Sequence, residues 1–164
     1  MYTAGVKEIR QELEAQSPKE LINIIQRLAR FKQENKELLT FLLFEAHDLD
    51  SHLAAVRDEL LASMLDIHPE RIYLAKKTVR KTLRLANKHI RLIGSKAAEA
   101  EIRLHVCRLL QQSGLPIDRN PVLLRIFQTQ MRSARKAIDT LHEDLQWELL
   151  READRIEAGT GTED

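Results

Sequence analysis

Cysteine occurs once in the 164 residues, at Cys107. A single thiol excludes an internal disulfide and any multi-cysteine zinc site, and it accords with a reducing compartment. Glycine and proline are also scarce, at 5 and 4 residues, too few for a sandwich or barrel with many short strands and turns. No apolar run approaches the ~18 residues of a membrane span, and Met1-Tyr2-Thr3-Ala4-Gly5 lacks the charged-then-apolar start of an export signal. A cytoplasmic protein with no membrane contact is expected. The net charge of +1 names no partner by itself.

What is present is helical spacing. Apolar residues make up 43% of the chain and charged residues 31%, enough to form a core and far from the disordered class. Ser17-Pro18-Lys19-Glu20 is a capping box with proline at the first helical position. Asn120-Pro121 repeats the cap-then-proline pattern, and His68-Pro69 does so with a poorer cap. Gly94-Ser95 reads as the end of one helix and the cap of the next. Gly114-Leu115-Pro116, and then Gly159 and Gly161, mark further ends. Between these points the apolar residues step by three or four, as in Leu21, Ile24, Ile25, Leu28 and Phe31, or Leu53, Val56, Leu60, Met64 and Ile67. An all-α protein is predicted, with about seven helices over 4–15, 18–32, 35–47, 51–66, 69–93, 96–113 and 121–157. Short connections favour an antiparallel helical bundle or stacked helical hairpins resembling an α-α superhelix. One domain over 1–158 and a disordered acidic tail over 159–164 complete the expected organisation.

The last helix invites a specific expectation. Leu123, Phe127, Met131, Ala134, Ile138, Leu141, Leu145, Leu149 and Ile156 share a sector of about 80°, and no glycine or proline interrupts 121–158. One straight rod of roughly 55 Å follows at 1.5 Å per residue, longer than a domain with a radius of gyration near ~15 Å is wide. Its far end is expected to project or to lie along another subunit. Trp147 and Leu150 sit nearly opposite the stripe. They form either a self-association patch or a cover for the first helix of the same chain.

Charge is segmented. Residues 71–98 hold nine Lys and Arg and no Asp or Glu, whereas 137–164 hold two basic and nine acidic residues. On the predicted helix 69–93, Ile72, Ala75, Val79, Leu83, Ala86, Ile90 and Ile93 form the inner stripe. Lys77, Arg80, Lys81, Arg84, Lys88 and Arg91 lie centred roughly 140° away. Seven like-charged pairs three or four residues apart, counting Lys76, cost about 1.5–3.5 kcal/mol if nothing offsets them. A counter-charge is therefore expected. It comes either from acidic segments of the protein itself or from a polyanion such as nucleic acid. Tyr73 is the only aromatic residue in 71–98, and no helix-turn-helix, zinc-finger or RNA-binding signature is present.

Signals for chemistry are weak. Glu45, His47, Asp48, Asp50 and His52 are dense in donors, but residues two apart on a helix diverge by about 200°, and Asp48 and Asp50 suit a turn and an N-cap. Glu-x-x-His pairs of the di-iron type are lacking, as are phosphate loops, nucleophile elbows and His-Glu-x-x-His. Glu101 and His105 are spaced to pair structurally, and His142-Glu143-Asp144 diverge. Cys107 beside Ile102, Val106, Leu109 and Leu110 reads as a buried, inert thiol. No catalytic residue, metal site or cofactor is expected, and the chain does not read as an enzyme. The expected role is protein–protein interaction or scaffolding, with a protein partner or a homo-oligomer. Nucleic-acid or polyanion binding through helix 69–93 is the alternative.

Several strings occur together: Lys32-Gln33-Glu34-Asn35-Lys36-Glu37 before Leu38–Phe44, Tyr73-Leu74-Ala75-Lys76-Lys77-Thr78-Val79-Arg80-Lys81, Asn87-Lys88 leading into Gly94-Ser95-Lys96, and Leu141-His142-Glu143-Asp144-Leu145-Gln146-Trp147. Over residues 17–150 the chain resembles a family of small, uncharacterised all-helical proteins from Bacteroidetes-type bacteria. The resemblance implies a cytoplasmic bacterial setting and transfers no site residues.

Overall fold

The computed structural model describes residues 2–159, all helix and connecting turns with no strand among them. They divide into two compact units, one within 1–45 and one within 46–164, where the sequence led us to expect one domain over 1–158. Of the expected acidic tail, residues 160–164 lie outside the described residues, and Gly159 ends the last helix.

The N-terminal unit contains α1 (Val6–Glu14), α2 (Pro18–Phe31) and α3 (Gln33–Thr40), the last continuing into a π-helical turn over Phe41–Glu45. Each start has a local cause. Glu8 reaches back to accept the Gly5 amide at 2.8 Å. Ser17 and Glu20 form the expected capping box, with the Ser17 amide 2.9 Å from the Glu20 carboxylate and the Glu20 amide 3.3 Å from the Ser17 hydroxyl. The Ser17 hydroxyl and then its amide hold the Glu20 carboxyl below its usual range. Extended backbone at Lys32 (φ −143°, ψ 145°) separates α2 from α3, and the Asn35 amide closes the α2 end by donating to the Leu28 carbonyl at 2.9 Å. None of α1, α2 and α3 has a buried residue.

The second unit holds α4 (Leu49–Met64), α5 (Ile72–Ile93), α6 (Lys96–Gln112), α7 (Pro121–Ile138) and α8 (Glu143–Gly159). It is a helical bundle built around α6, which packs against each of the other four. The reason is in the α6 sequence. Ala98, Ala100, Ile102, Leu104, Val106, Cys107, Leu109 and Leu110 are all buried, and a helix apolar on most sides belongs in the interior. The others contribute one stripe each: Leu53, Val56, Leu60 and Met64 from α4, Ala75, Val79, Thr82 and Ala86 from α5, and Leu149, Ala153 and Ile156 from α8. Gly94 takes a left-handed conformation (φ +68°), which lets α5 turn into α6 through a corner that Ser95 caps. Helix α5 starts at Ile72, three residues later than expected, because His68–Arg71 form a turn closed by the Arg71 amide on the His68 carbonyl.

The uninterrupted rod expected over 121–157 is not formed. The chain leaves helix between Ile138 and Glu143. Thr140 donates its hydroxyl to the Ala137 carbonyl at 2.7 Å, and Gln146 caps the Asp139 carbonyl at 3.1 Å. Asp and Thr compete for backbone hydrogen bonds through their side chains and so favour such exits. The break lets α8 fold back on α6 and α7, burying Leu149 and Ile156 instead of leaving them on a projecting end. The pair Trp147 and Leu150 is divided as a result. Leu150 packs against the core, while Trp147 remains 64% exposed with the Arg151 guanidinium 4.5 Å from its ring centre.

Candidate anion-binding face

The face of α5 opposite its buried stripe carries the charge. Lys77, Arg80, Lys81, Arg84, Lys88 and Arg91 are all exposed. Among the described residues, Lys77, Arg80, Lys81, Arg84 and Arg91 form no ion pair. Several acids of the other helices pair elsewhere. Arg135 of α7 binds Asp154 at 2.7 Å and Glu157 at 2.6 Å, and these two carboxylates, Glu157 first, raise its already high pKa. Glu152 pairs with Arg108 of α6. From α4, Glu59 contacts His89 Nε2 at 2.8 Å, and Arg57 binds Glu101 of α6 at 2.6 Å. Glu152, Asp154 and Glu157 thus pair with cations of α6 and α7, and none of these three pairs with the outer cations of α5.

Between α4 and α5 runs an open groove of about 460 Å³, lined by Glu59, Ser63, Lys81, Arg84, Leu85 and Lys88. Beside it the Ser63 and Thr82 hydroxyls meet at 2.7 Å, which satisfies the buried threonine. At the N-terminal end of α5, Tyr73 is 81% exposed. Its helical position is in line with the cations, since Tyr73, Lys77, Arg84 and Arg91 recur at steps of four and seven residues. That spacing was visible in the sequence once the tyrosine was placed on the same wheel as the charges.

In the donor-rich segment near residue 48, one carboxylate is a helix cap. Asp48 accepts the Ser51 amide at 3.1 Å, an N-cap that holds its carboxyl below the usual range through the Ser51 side chain and amide. His52 and His89 meet edge to face with ring centres 5.8 Å apart. Glu101 and His105 do not pair. Glu101 binds Arg57, and His105 Nε2 lies 3.3 Å from the Arg57 carbonyl. Burial pushes the His105 pKa down, and the Arg108 and Arg57 cations add to this against the Arg57 carbonyl bond. His142 stays near Asp144 at 3.6 Å on the surface. Cys107 is buried and its thiol is pushed up to about 12, chiefly by burial, so it is almost wholly protonated at neutral pH. Among the described residues no three His, Cys, Asp or Glu side chains converge as a metal site requires.

The second unusual surface was not legible as such in the sequence. In the N-terminal unit, twelve Val, Ile, Leu and Phe residues between Val6 and Phe44 remain exposed. Their spacing reads as a core stripe, and only the structure shows that Phe41 is the one buried side chain among the described residues of this unit.

No protein-family model, curated protein or solved structure matches this chain. No helix among the described residues is long and apolar enough to cross a membrane.

Proposed function

We propose that this chain is a non-catalytic helical interaction module whose N-terminal unit associates with the same unit of a second copy. The observation that carries the reading is that α1, α2 and α3 bury no residue although α2 is strongly amphipathic, with Ile22, Ile25, Leu28 and Phe31 all exposed. Summed over α1, α2, α3 and the π-helical turn, the twelve exposed side chains leave on the order of 1,000 Å² of apolar surface in water, where a typical monomer's largest single patch is roughly 300–600 Å². A standard interface needs about 800 Å² per partner. Charge also favours a second copy. Residues 1–45 contain seven Lys and Arg and seven Asp and Glu, so two such units meet without net repulsion.

Sedimentation equilibrium tests this. The expected result is a mass above 19.0 kDa at ~100 μM, reduced to the monomer by Leu28→Glu with Phe31→Glu, while Trp147→Glu leaves it unchanged. A monomer at that concentration overturns the proposal, as does association that survives the double variant. A second reading, polyanion binding through α5, is supported by a separate observation, the five outer cations that form no ion pair with any described residue.

A further inference from the structure

We infer that the outer face of α5 binds single-stranded nucleic acid, with phosphates along the cationic row and one base stacked on Tyr73. This rests on the polyanion reading and narrows it to one ligand.

The row has the geometry of a backbone track. At 100° per residue, Tyr73, Lys77, Arg80, Arg84 and Arg91 fall within about 60° of arc, with Lys88 and Lys81 just beside them. The distance along the axis from Tyr73 to Arg91 is roughly 27 Å. No acid occurs in 71–98, and the nearest acid lining the flanking groove, Glu59, is held by His89. A polyanion laid along this face meets cations whose mutual repulsion it relieves, and it releases its own condensed counterions.

Tyr73 decides between single strand and duplex. Tyr73 forms no hydrogen bond or ring contact with any described residue and is 81% exposed, so its ring is open to a stacking partner. Single-strand binding proteins combine a cationic track with such an aromatic platform, because every unpaired base offers a π face. A duplex keeps its base faces stacked inside, so the ring would gain nothing from it. Simple polyanions such as heparin or polyphosphate would engage the cations and ignore the ring.

Fluorescence anisotropy with a labelled oligothymidylate of about 15 nucleotides, a duplex of the same length and heparin as competitor tests the inference on the full chain. The expected result is tighter binding of the single strand than of the duplex, with log affinity falling against log salt at a slope near −3 to −4 for about five phosphate contacts. Arg84→Glu with Lys81→Glu should abolish binding. Tyr73→Ala should weaken oligothymidylate binding about 5- to 100-fold and heparin binding not at all, and Tyr73→Phe should restore it. All three side chains are exposed, so the helical circular dichroism of each variant should match the parent. Equal affinity for duplex, or an unchanged affinity in Tyr73→Ala, overturns the single-strand inference and leaves the polyanion reading standing. No binding of any of the three ligands at low salt overturns both.

Discussion

Leu60 and Leu28 are both leucines on the apolar stripe of an amphipathic helix, yet the structure treats them oppositely. Leu60 is 0% exposed within the core of the second unit, whereas Leu28 of the first unit is 50% exposed. Truncating Leu60 to alanine removes three buried carbon atoms from a site packed by α4 and its neighbours. The lost transfer free energy plus the residual cavity amounts to about 2.7–5 kcal/mol. For a unit of this size each kcal/mol moves the midpoint by about 4 °C, so Tm should fall by roughly 10–20 °C. Leu28→Ala removes the same atoms from a half-solvated position with little cavity to leave, and should cost less than about 1 kcal/mol. Urea unfolding followed by circular dichroism, at a concentration low enough to suppress association, measures both. The slope with urea should stay near the parent value in each case. A loss below about 1 kcal/mol at Leu60, or an equal loss at Leu28, would refute the assignment of the main core to the second unit.

Two further outcomes follow from single residues. At Gly94, φ is +68° and an added Cβ would meet nothing within 4 Å, so Gly94→Ala is penalised only through the backbone, by about 1–2 kcal/mol. Gly94→Asn should recover part of that, and an unchanged urea midpoint in Gly94→Ala would contradict the left-handed corner. For His105 the sign is set by burial, which lowers its pKa in the folded state. The unfolded chain then binds the proton more readily. The contribution of His105 to stability is full above the ordinary histidine value of about 6.5 and is lost as pH falls from there through the lowered native value. An NMR titration of the His105 ring should place its midpoint below 6.5, and His105→Gln should flatten the decline in stability between about pH 6.5 and 5. A native midpoint at or above 6.5 would overturn this.

How much of this was readable in advance depended on the range of the interaction. Ser17 with Glu20, Asn120 before Pro121, and Gly94 with Ser95 set helix ends through hydrogen bonds spanning two or three residues, and those ends stand where the sequence places them. The inner and outer faces of α5 were equally legible, because periodicity alone separates Val79 and Ala86 from Arg84 and Arg91. The rod over 121–157 was not. Its apolar stripe continues through Ile138, Leu141 and Leu149 whether or not the helix does, and the choice was made by α6, whose surface rewards folding α8 back. Leu150 likewise became a core contact only once α8 had turned.

By itself, then, the sequence determined that the chain is helical, where most helices begin, and which edge of each is apolar or cationic. These are local matters of hydrogen bonding, backbone sterics and periodicity. Only the tertiary structure decided which apolar edges find a partner and which acids neutralise which cations. Glu152 lies 44 residues from Arg108, and Asp154 and Glu157 lie 19 and 22 from Arg135, and nothing in that spacing says that these three acids serve α6 and α7. Burial and ion pairing depend on distances through space, which a one-dimensional pattern does not contain.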